Sequence, residues 1–305
     1  MIEGFRLKGV SDVPELQVLI FLLVLLIYLI SLVGNLTILL LVGLDVHLHT
    51  PMYFFLSNLS LIDISYSTTA LHRIFVDTIT KYPMVSFSAC MTQLYIFSAL
   101  ISNEFSILAA MSYDRYVAIC RPLHYHSIMS RRLCALLASV SWGFGLIESI
   151  PTTAIISRFT CYISNEIDNY FCDILPIRDI TCSDTSFLDL YFLIKGNVNV
   201  FMLLLLTISP YISIISRILR ISSSAGRRKA FYTCFSHITV VVLFYSSLVL
   251  QYMGTISGAN TGANKLFSLF NTAIIPMMNP LIYSLKNKDV KSALRRQLKL
   301  SEIQY

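Results

Sequence analysis

The sequence predicts an all-α membrane protein: a seven-transmembrane helix bundle with a short amphipathic eighth helix on the inner membrane surface. Three observations predict it. Of 305 residues, 55% are hydrophobic and only 13% charged, with mean hydropathy +0.69, far from the composition of a water-soluble domain. The apolar residues come in continuous runs, which helices permit because they satisfy their backbone internally, whereas membrane barrel strands alternate. The runs end in charges, above all at Asp114-Arg115-Tyr116, where an acid and a base sit together at the edge of a lipid-length segment. Such a pair is either a caged ion pair that can be released or a juxtamembrane charge that only fixes orientation.

Residues 1–17, charged and carrying Pro14, are expected to form an extracellular tail without a removable signal, since they hold no short apolar core with a small-residue cleavage site. The membrane-spanning body covers 18–285. Residues 18–44 are uncharged and exceed the roughly 20 needed to cross about 30 Å of hydrocarbon. Asn35 inside this run should face other helices, because acyl chains cannot satisfy its amide. The second helix, 51–74, opens on Pro51, which needs no donor in a first turn. The third covers 91–121 and the fourth 132–156, around the only tryptophan, Trp142. The stretch 157–189 holds three cysteines and is too long for a tight turn, so it reads as a folded outer loop. The fifth, sixth and seventh helices cover 190–219, 229–253 and 264–285. In the cytoplasmic segment 286–305, Val290, Ala293, Leu294 and Leu298 recur at the spacing of an amphipathic surface helix. No internal repeat is visible.

With an outer N-terminus, the inner loops and tail collect most of the 23 Lys and Arg residues, which supports an inner C-terminus. The first inner loop, 43–50, is the exception and has neither, while the outer tail has Arg6 and Lys8. The net charge of +6 suits orientation and anionic lipid headgroups rather than nucleic acid. Cys90, Cys161, Cys172 and Cys182 fall outside, where disulfides persist, and Cys120, Cys134 and Cys234 inside. Four outer cysteines permit three pairings, and spacing does not choose among them.

Further along, the motifs resemble a known family. Gly34-Asn35, LHTPMYFFLSNLSLIDI at 48–64, MSYDRYVAIC at 111–120, Pro122-Leu123-His124-Tyr125, KAFYTCFSHITVV at 229–241 and PMMNPLIYSLKNKDV at 276–290 are similar, in order and spacing, to odorant (olfactory) receptors of the rhodopsin-like G-protein-coupled class. The chain departs from the family at Ser112, usually Ala; at Pro210, where a Ser precedes the Tyr; and at Leu203, where a mid-helix Pro is usual. A helix-five kink would therefore move toward the cytoplasm. The tail also lacks the family's Asn-x-Ser/Thr site.

The resemblance implies roles for particular residues. It selects the disulfides Cys90–Cys172 and Cys161–Cys182. It makes Asp114, Arg115 and Tyr116 an inner switch whose arginine is released when helix six swings outward, with Tyr211, Asn279, Pro280 and Tyr283 supporting the change. His237 would hold helix six to helix three at rest; the plain alternative is a packing histidine. Asp63 and Glu104 lie near mid-membrane, roughly 18 Å from Pro51 and roughly 21 Å from Cys90 at about 1.5 Å per residue. With Asn35 and Asn279 they would form a polar cluster that binds an allosteric sodium ion, or else a neutral hydrogen-bonded knot. The ligand site would lie in the outer half of helices three, five, six and seven, lined by Phe97, Ser98, Ile101, Ser102, Asn199, Leu248, Tyr252, Leu269 and Thr272. Such a lining suits a small organic odorant.

Lys195 and Glu148 are charges in neighbouring apolar runs. They either neutralise each other, or Lys195 anchors an acidic or carbonyl ligand, or it snorkels outward. The implied function is odorant-driven activation of a stimulatory heterotrimeric G protein at the plasma membrane of olfactory cilia, raising cyclic AMP. Gly226 to Lys229 would contact that protein, and Ser222 to Ser224 would accept phosphate. No catalysis, cofactor or metal is expected: His47 with His49 and His124 with His126 are loop pairs that share no helical face. A receptor for a non-odorant small molecule and a small-solute transporter are the competing readings, the latter disfavoured by the lack of related halves. A retinal protein would need a lysine deep in helix seven, where only Lys265 at the edge is offered.

Overall fold

The computed structural model describes residues 3–11, 13–80, 83–220, 223–256, 261–286 and 288–303. It is mostly helical. Helix α1 (Pro14–Leu44) and α2 (Pro51–Thr80) each open on a proline, whose missing N–H costs nothing in a first turn. Serines start the next two. Ser86 Oγ accepts from Ala89 N (3.3 Å) ahead of α3 (Phe87–Cys120), and Ser130 Oγ from Leu133 N (3.3 Å) ahead of α4 (Arg131–Ile156), each supplying one of the acceptors that a helix start lacks. Helix α5 (Ser186–Leu219) runs on through Pro210, and α6 covers Ser224–Ile256. Helix α7 is composite: Thr261–Leu269, a π-helical turn at Phe270–Ile274, then Ile275–Lys286. Helix α8 is Lys288–Ile303.

Five stretches among the described residues are long and apolar enough to cross a membrane: Glu15–Leu44, Phe87–Cys120, Arg131–Ile156, Ser186–Leu219 and Lys265–Tyr283. Helices α2 and α6 are not among them; α2 carries Asn58, Asp63, His72, Arg73 and Asp77. Several helices outrun the apolar runs that mark them. Helix α2 continues to Thr80 and α3 begins at Phe87, because hydropathy registers the hydrocarbon-crossing part while the backbone ladder continues through polar end turns.

Helix α3 is central, packing most extensively on α4 and α5 and then on α2, with only slight contact to α6. Its apolar core residues include Ile107, Leu108 and Met111. Helices α1 and α7 meet where Gly34 faces Pro280, and a Cβ on Gly34 would stand 2.9 Å from the Pro280 ring. At the far end, α8 is not merely a surface segment. Val290 and Ala293 are buried, Tyr53 Oη donates to Asp289 Oδ2 (3.2 Å), and Arg296 Nε and Nη2 donate to Asp45 Oδ2 (2.8 and 2.6 Å). Desolvation of the Asp45 carboxylate is outweighed by hydrogen bonds from Arg296 and His47, which hold it down to about 2. The loop 43–50 without a Lys or Arg thus receives its cation from α8.

The other end carries two disulfides, Cys90–Cys172 (Cα–Cα 5.4 Å) and Cys161–Cys182 (5.1 Å), and a feature the sequence did not disclose. The tail is not plain coil: β1 (Gly4–Leu7) is the middle strand of a small sheet, antiparallel to β2 (Met84–Ser86) and parallel to β3 (Glu166–Ile167). Phe5 and Leu7 are buried in one cluster with Leu94, Ile156, Ile167 and Ile177, and Arg6 and Lys8 both reach Glu166. A Cβ on Gly4 would lie 2.4 Å from Val85 O, so the strand pairing needs glycine there. Gly4→Val should cost about 1–3 kcal/mol as an overpacking change and lower the surface-delivered fraction several-fold. Surface biotinylation reads this, and undiminished delivery would show that the tail does not hold the sheet.

Candidate functional site

At the end opposite the disulfides, Asp114 is fully buried and gathers donors. Arg115 Nε donates to its Oδ2 at 3.0 Å, and Tyr125 Oη donates to its Oδ1 at 2.8 Å. Tyr125 comes from the short helix Tyr125–Ile128 that follows α3. Desolvation and the neighbouring Asp114 push its phenol up, so it remains a donor. Tyr116 packs with Tyr211, Ile214, Ile218, Ile119, Cys120 and Cys234, from α3, α5 and α6. Tyr211 Oη pairs with His237 Nδ1, while His237 Nε2 has no hydrogen-bond partner among the described residues. The expected tie from His237 to α3 is therefore corrected: the ring turns to α5. Tyr283 is buried, its hydroxyl without a hydrogen-bond partner among the described residues, and its ring lies 6.4 Å from the His237 ring between centroids. A groove of about 470 Å³ opens beside this cluster, lined by Tyr116, Cys120, Ser213, Ser216, Arg217 and Arg220.

Deeper in, Asn279 Nδ2 donates to both oxygens of Asp63, 3.0 Å each. Asp63 and Glu104 are both buried. Glu104 Oε1 has no hydrogen-bond partner among the described residues. Asn35 is not bonded into this group. Its Nδ2 donates to Ser31 O and Pro276 O, 3.0 Å each, so its amide closes the seam of α1 and α7 beside Pro280.

Toward the disulfide end, the residues expected to line one pocket divide. Phe97 stacks on Tyr66 (4.7 Å, 16°) and touches Phe171 (4.7 Å). Thr272 Oγ1 meets Tyr170 Oη at 2.8 Å. Leu269, Ile101 and Ser98 are partly exposed, and the side chains of Leu248 and Tyr252 lie outside the described residues. Ser102 and Asn199 turn instead to Glu148. Ser102 Oγ donates to Glu148 Oε2 (2.8 Å), Asn199 Nδ2 to Oε1 (2.5 Å), and Lys195 Nζ lies 2.9 Å from Oε1. Lys195 also donates to Thr152 Oγ1 (2.7 Å) and Glu148 O (3.0 Å). A separate groove of about 720 Å³ lies between α2 and α3, lined by Ile64, Ser65, Thr69, His72, Thr92 and Gln93, and includes none of the expected pocket residues.

Residues that sequence reasoning missed hold these parts together. Tyr170 and Phe171, from the 157–185 loop, are wholly buried in the bundle core. Gln93 accepts from Cys172 N (3.0 Å) and donates to Thr69 O (2.7 Å). Lys265 Nζ binds Asp168 Oδ1 at 2.6 Å. The loop is thereby fastened to α3 and α7 as well as by its disulfides. Two adjacent aromatics beside Cys172 were the available signal for the first pair, and Tyr125 was in view only as part of a motif.

The comparisons with known proteins agree with this architecture. The family model described as olfactory receptor matches residues 24–300. The chain is similar to Olfactory receptor 2AP1 of Homo sapiens, 43% identical over 98% of this chain and 97% of that one. It is also similar to Olfactory receptor 5AR1 of Mus musculus (42%, 97% and 96%) and Olfactory receptor 8G50 of Mus musculus (44%, 97% and 95%). With its apolar helices, two disulfides and near full-length likeness, the chain belongs to the olfactory receptor family, membrane-bound odorant receptors of the G-protein-coupled class that perform no catalysis.

Proposed function

We propose that the chain crosses the plasma membrane seven times with its N-terminus outside, binds a small organic odorant in its outer half and activates a stimulatory heterotrimeric G protein, raising cyclic AMP in olfactory cilia. The observation that carries this is the caged Asp114–Arg115 pair, set at the end opposite the two disulfides. Disulfides belong to the oxidising side, so Arg115 faces the cytoplasm. An odorant that binds the open conformation better than the closed one draws helix α6 outward, and α6 has little contact with α3 to lose. Tyr211 and His237 part or re-pair as α5 and α6 move. Arg115 leaves Asp114 and, with Arg217 and Arg220 in the adjoining groove, meets the G protein. That gives two contact sets for one element, as signalling between distant sites requires. Arg227 and Arg228, exposed at the start of α6, extend the same surface; Lys229 and Ser222 lie outside the described side chains.

The ligand site of this reading lies toward the disulfide end, between Phe97, Ser98, Ile101, Leu269 and Thr272 of α3 and α7 and the Ser102, Lys195 and Asn199 group on the α5 side, near the loop carrying Tyr170 and Phe171; the side chains of Leu248 and Tyr252, the α6 part of the expected lining, lie outside the described residues. At mid-membrane the carboxylates of Asp63 and Glu104, with the unpaired Glu104 Oε1, fit a small hard cation, since such ions take oxygen donors. A sodium ion held there would offset two buried acids and favour the closed form.

The test is cyclic AMP in cells expressing the chain with the olfactory stimulatory G protein, screened against chemically diverse odorants with surface delivery confirmed. At least one odorant should raise it in a dose-dependent way. Uniform silence from delivered receptor, with signalling restored by another G-protein class, would reject the stimulatory assignment.

A further inference from the structure

Glu148 is the one carboxylate among the described residues that gathers side chains from α3 and α5 while sitting on α4. It is only 15% exposed and Lys195 only 17%. Its Oε1 takes Lys195 and Asn199, and its Oε2 takes Ser102. Lys195 is in turn used up by Glu148 Oε1, Glu148 O and Thr152 Oγ1. Three of the polar residues expected to face the odorant, Ser102, Lys195 and Asn199, are thus spent on one acid, and the cluster carries no net charge.

We infer that Glu148 sets the charge specificity of the odorant site by cancelling Lys195, so that the receptor takes neutral odorants and rejects carboxylates. This rests on the odorant-receptor reading above and names the ligand class for it. An incoming carboxylate has to displace Glu148 from a part-buried lysine and leave that acid's charge unpaired, which is the expensive direction for any buried pair. An incoming amine faces the mirror problem with Lys195. A ketone, ester, alcohol or hydrocarbon disturbs neither and binds by shape against Phe97, Ile101 and Leu269. Removing the acid's charge reverses the selection: Lys195 keeps Thr152 and the Glu148 backbone carbonyl as partners, and its positive charge becomes free to receive an anion.

The experiment uses matched panels of neutral odorants and the carboxylic acids of the same carbon skeletons, with cyclic AMP as the readout and surface delivery measured for every variant. Active compounds for the natural chain should come from the neutral panel. Glu148→Gln, close in size and still able to accept from Ser102, should keep neutral responses and gain potency toward acids of about tenfold or more, the scale of one charged hydrogen bond. The double variant Glu148→Gln with Lys195→Met should lose the acid response again while retaining the neutral one. Acids as the preferred ligands of the natural chain would overturn the inference, as would Glu148→Gln with its neutral responses intact and no acid gain. An acid gain that survives Lys195→Met would also overturn it. Silence of the delivered natural chain toward both panels contradicts the odorant reading itself and removes the inference with it, a result distinct from responses that do not follow Lys195.

Discussion

Arg115→Ala is expected to abolish odorant-evoked cyclic AMP while the protein still reaches the cell surface. Among the described residues Arg115 hydrogen-bonds its neighbour Asp114, which keeps a second donor in Tyr125 Oη at 2.8 Å. Losing the guanidinium therefore weakens the resting lock without emptying the core, because Arg115 stands at the helix end, 14% exposed, and not in the packed interior. In the open form the arginine has no substitute among the residues on its turn of α3. Signalling should fall to below about one tenth of the natural level, since even 1.4 kcal/mol is a factor of ten. Asp114→Asn should act in the opposite sense. It removes charge-assisted bonds worth about 1.5–3 kcal/mol, which frees Arg115 and raises basal cyclic AMP by about ten- to 150-fold, the range of a coupling energy of that size. Retained odorant responses in Arg115→Ala at equal surface density would show that this pair is an orientation charge and nothing more.

The second large effect belongs to Cys172→Ser. Cys90 and Cys172 are both completely buried and are 82 residues apart in sequence, so the bond restricts a long loop of the unfolded chain, by about 4–5 kcal/mol. That is comparable with the whole stability margin of many domains, about 5–15 kcal/mol. The change also strips the anchor from Tyr170 and Phe171, which sit on either side of the core contacts to Phe97 and Thr272. Surface delivery should therefore collapse. Cys161→Ser opens a bond only 21 residues in separation, worth about 3 kcal/mol, and Thr181 Oγ1 still donates to Cys161 O at 2.7 Å. It should be delivered at a reduced but measurable level. Surface biotinylation of the two variants side by side gives the comparison, and equal delivery would contradict the anchoring role given to the 157–185 loop.

Five of the helices were legible because a long apolar run announces itself by composition alone, whereas α2 and α6 fall short of that measure. What needs two distant segments at once was not. GFRL at 4–7 becomes a strand only because residues 84–86 and 166–167 arrive on either side of it, and nothing local in four residues forecasts that. The partner of His237 depends on how far α6 is rotated about its axis, and the rotation places the ring at Tyr211 instead of α3. Asn35 and Asp63 are both fully buried polar residues, yet Asn35 is spent on the Pro276 carbonyl. Glu148 and Lys195 stand out in sequence as charges in apolar runs, but the arrival of Ser102 and Asn199 at the same carboxylate divides a lining that looked continuous when written as a set of positions. The acid–base pair at Asp114 and Arg115 was visible from its first reading; the tyrosine that completes it, eleven residues on, was not.

GDP-to-GTP exchange on a purified stimulatory G protein, measured with the receptor in lipid discs and an odorant active in cells, isolates receptor action from every other cellular component. Exchange should accelerate with odorant for the natural chain and stay at the receptor-free rate for Arg115→Ala. Identical exchange rates with and without odorant, from receptor shown to be folded and odorant-bound, would contradict the account.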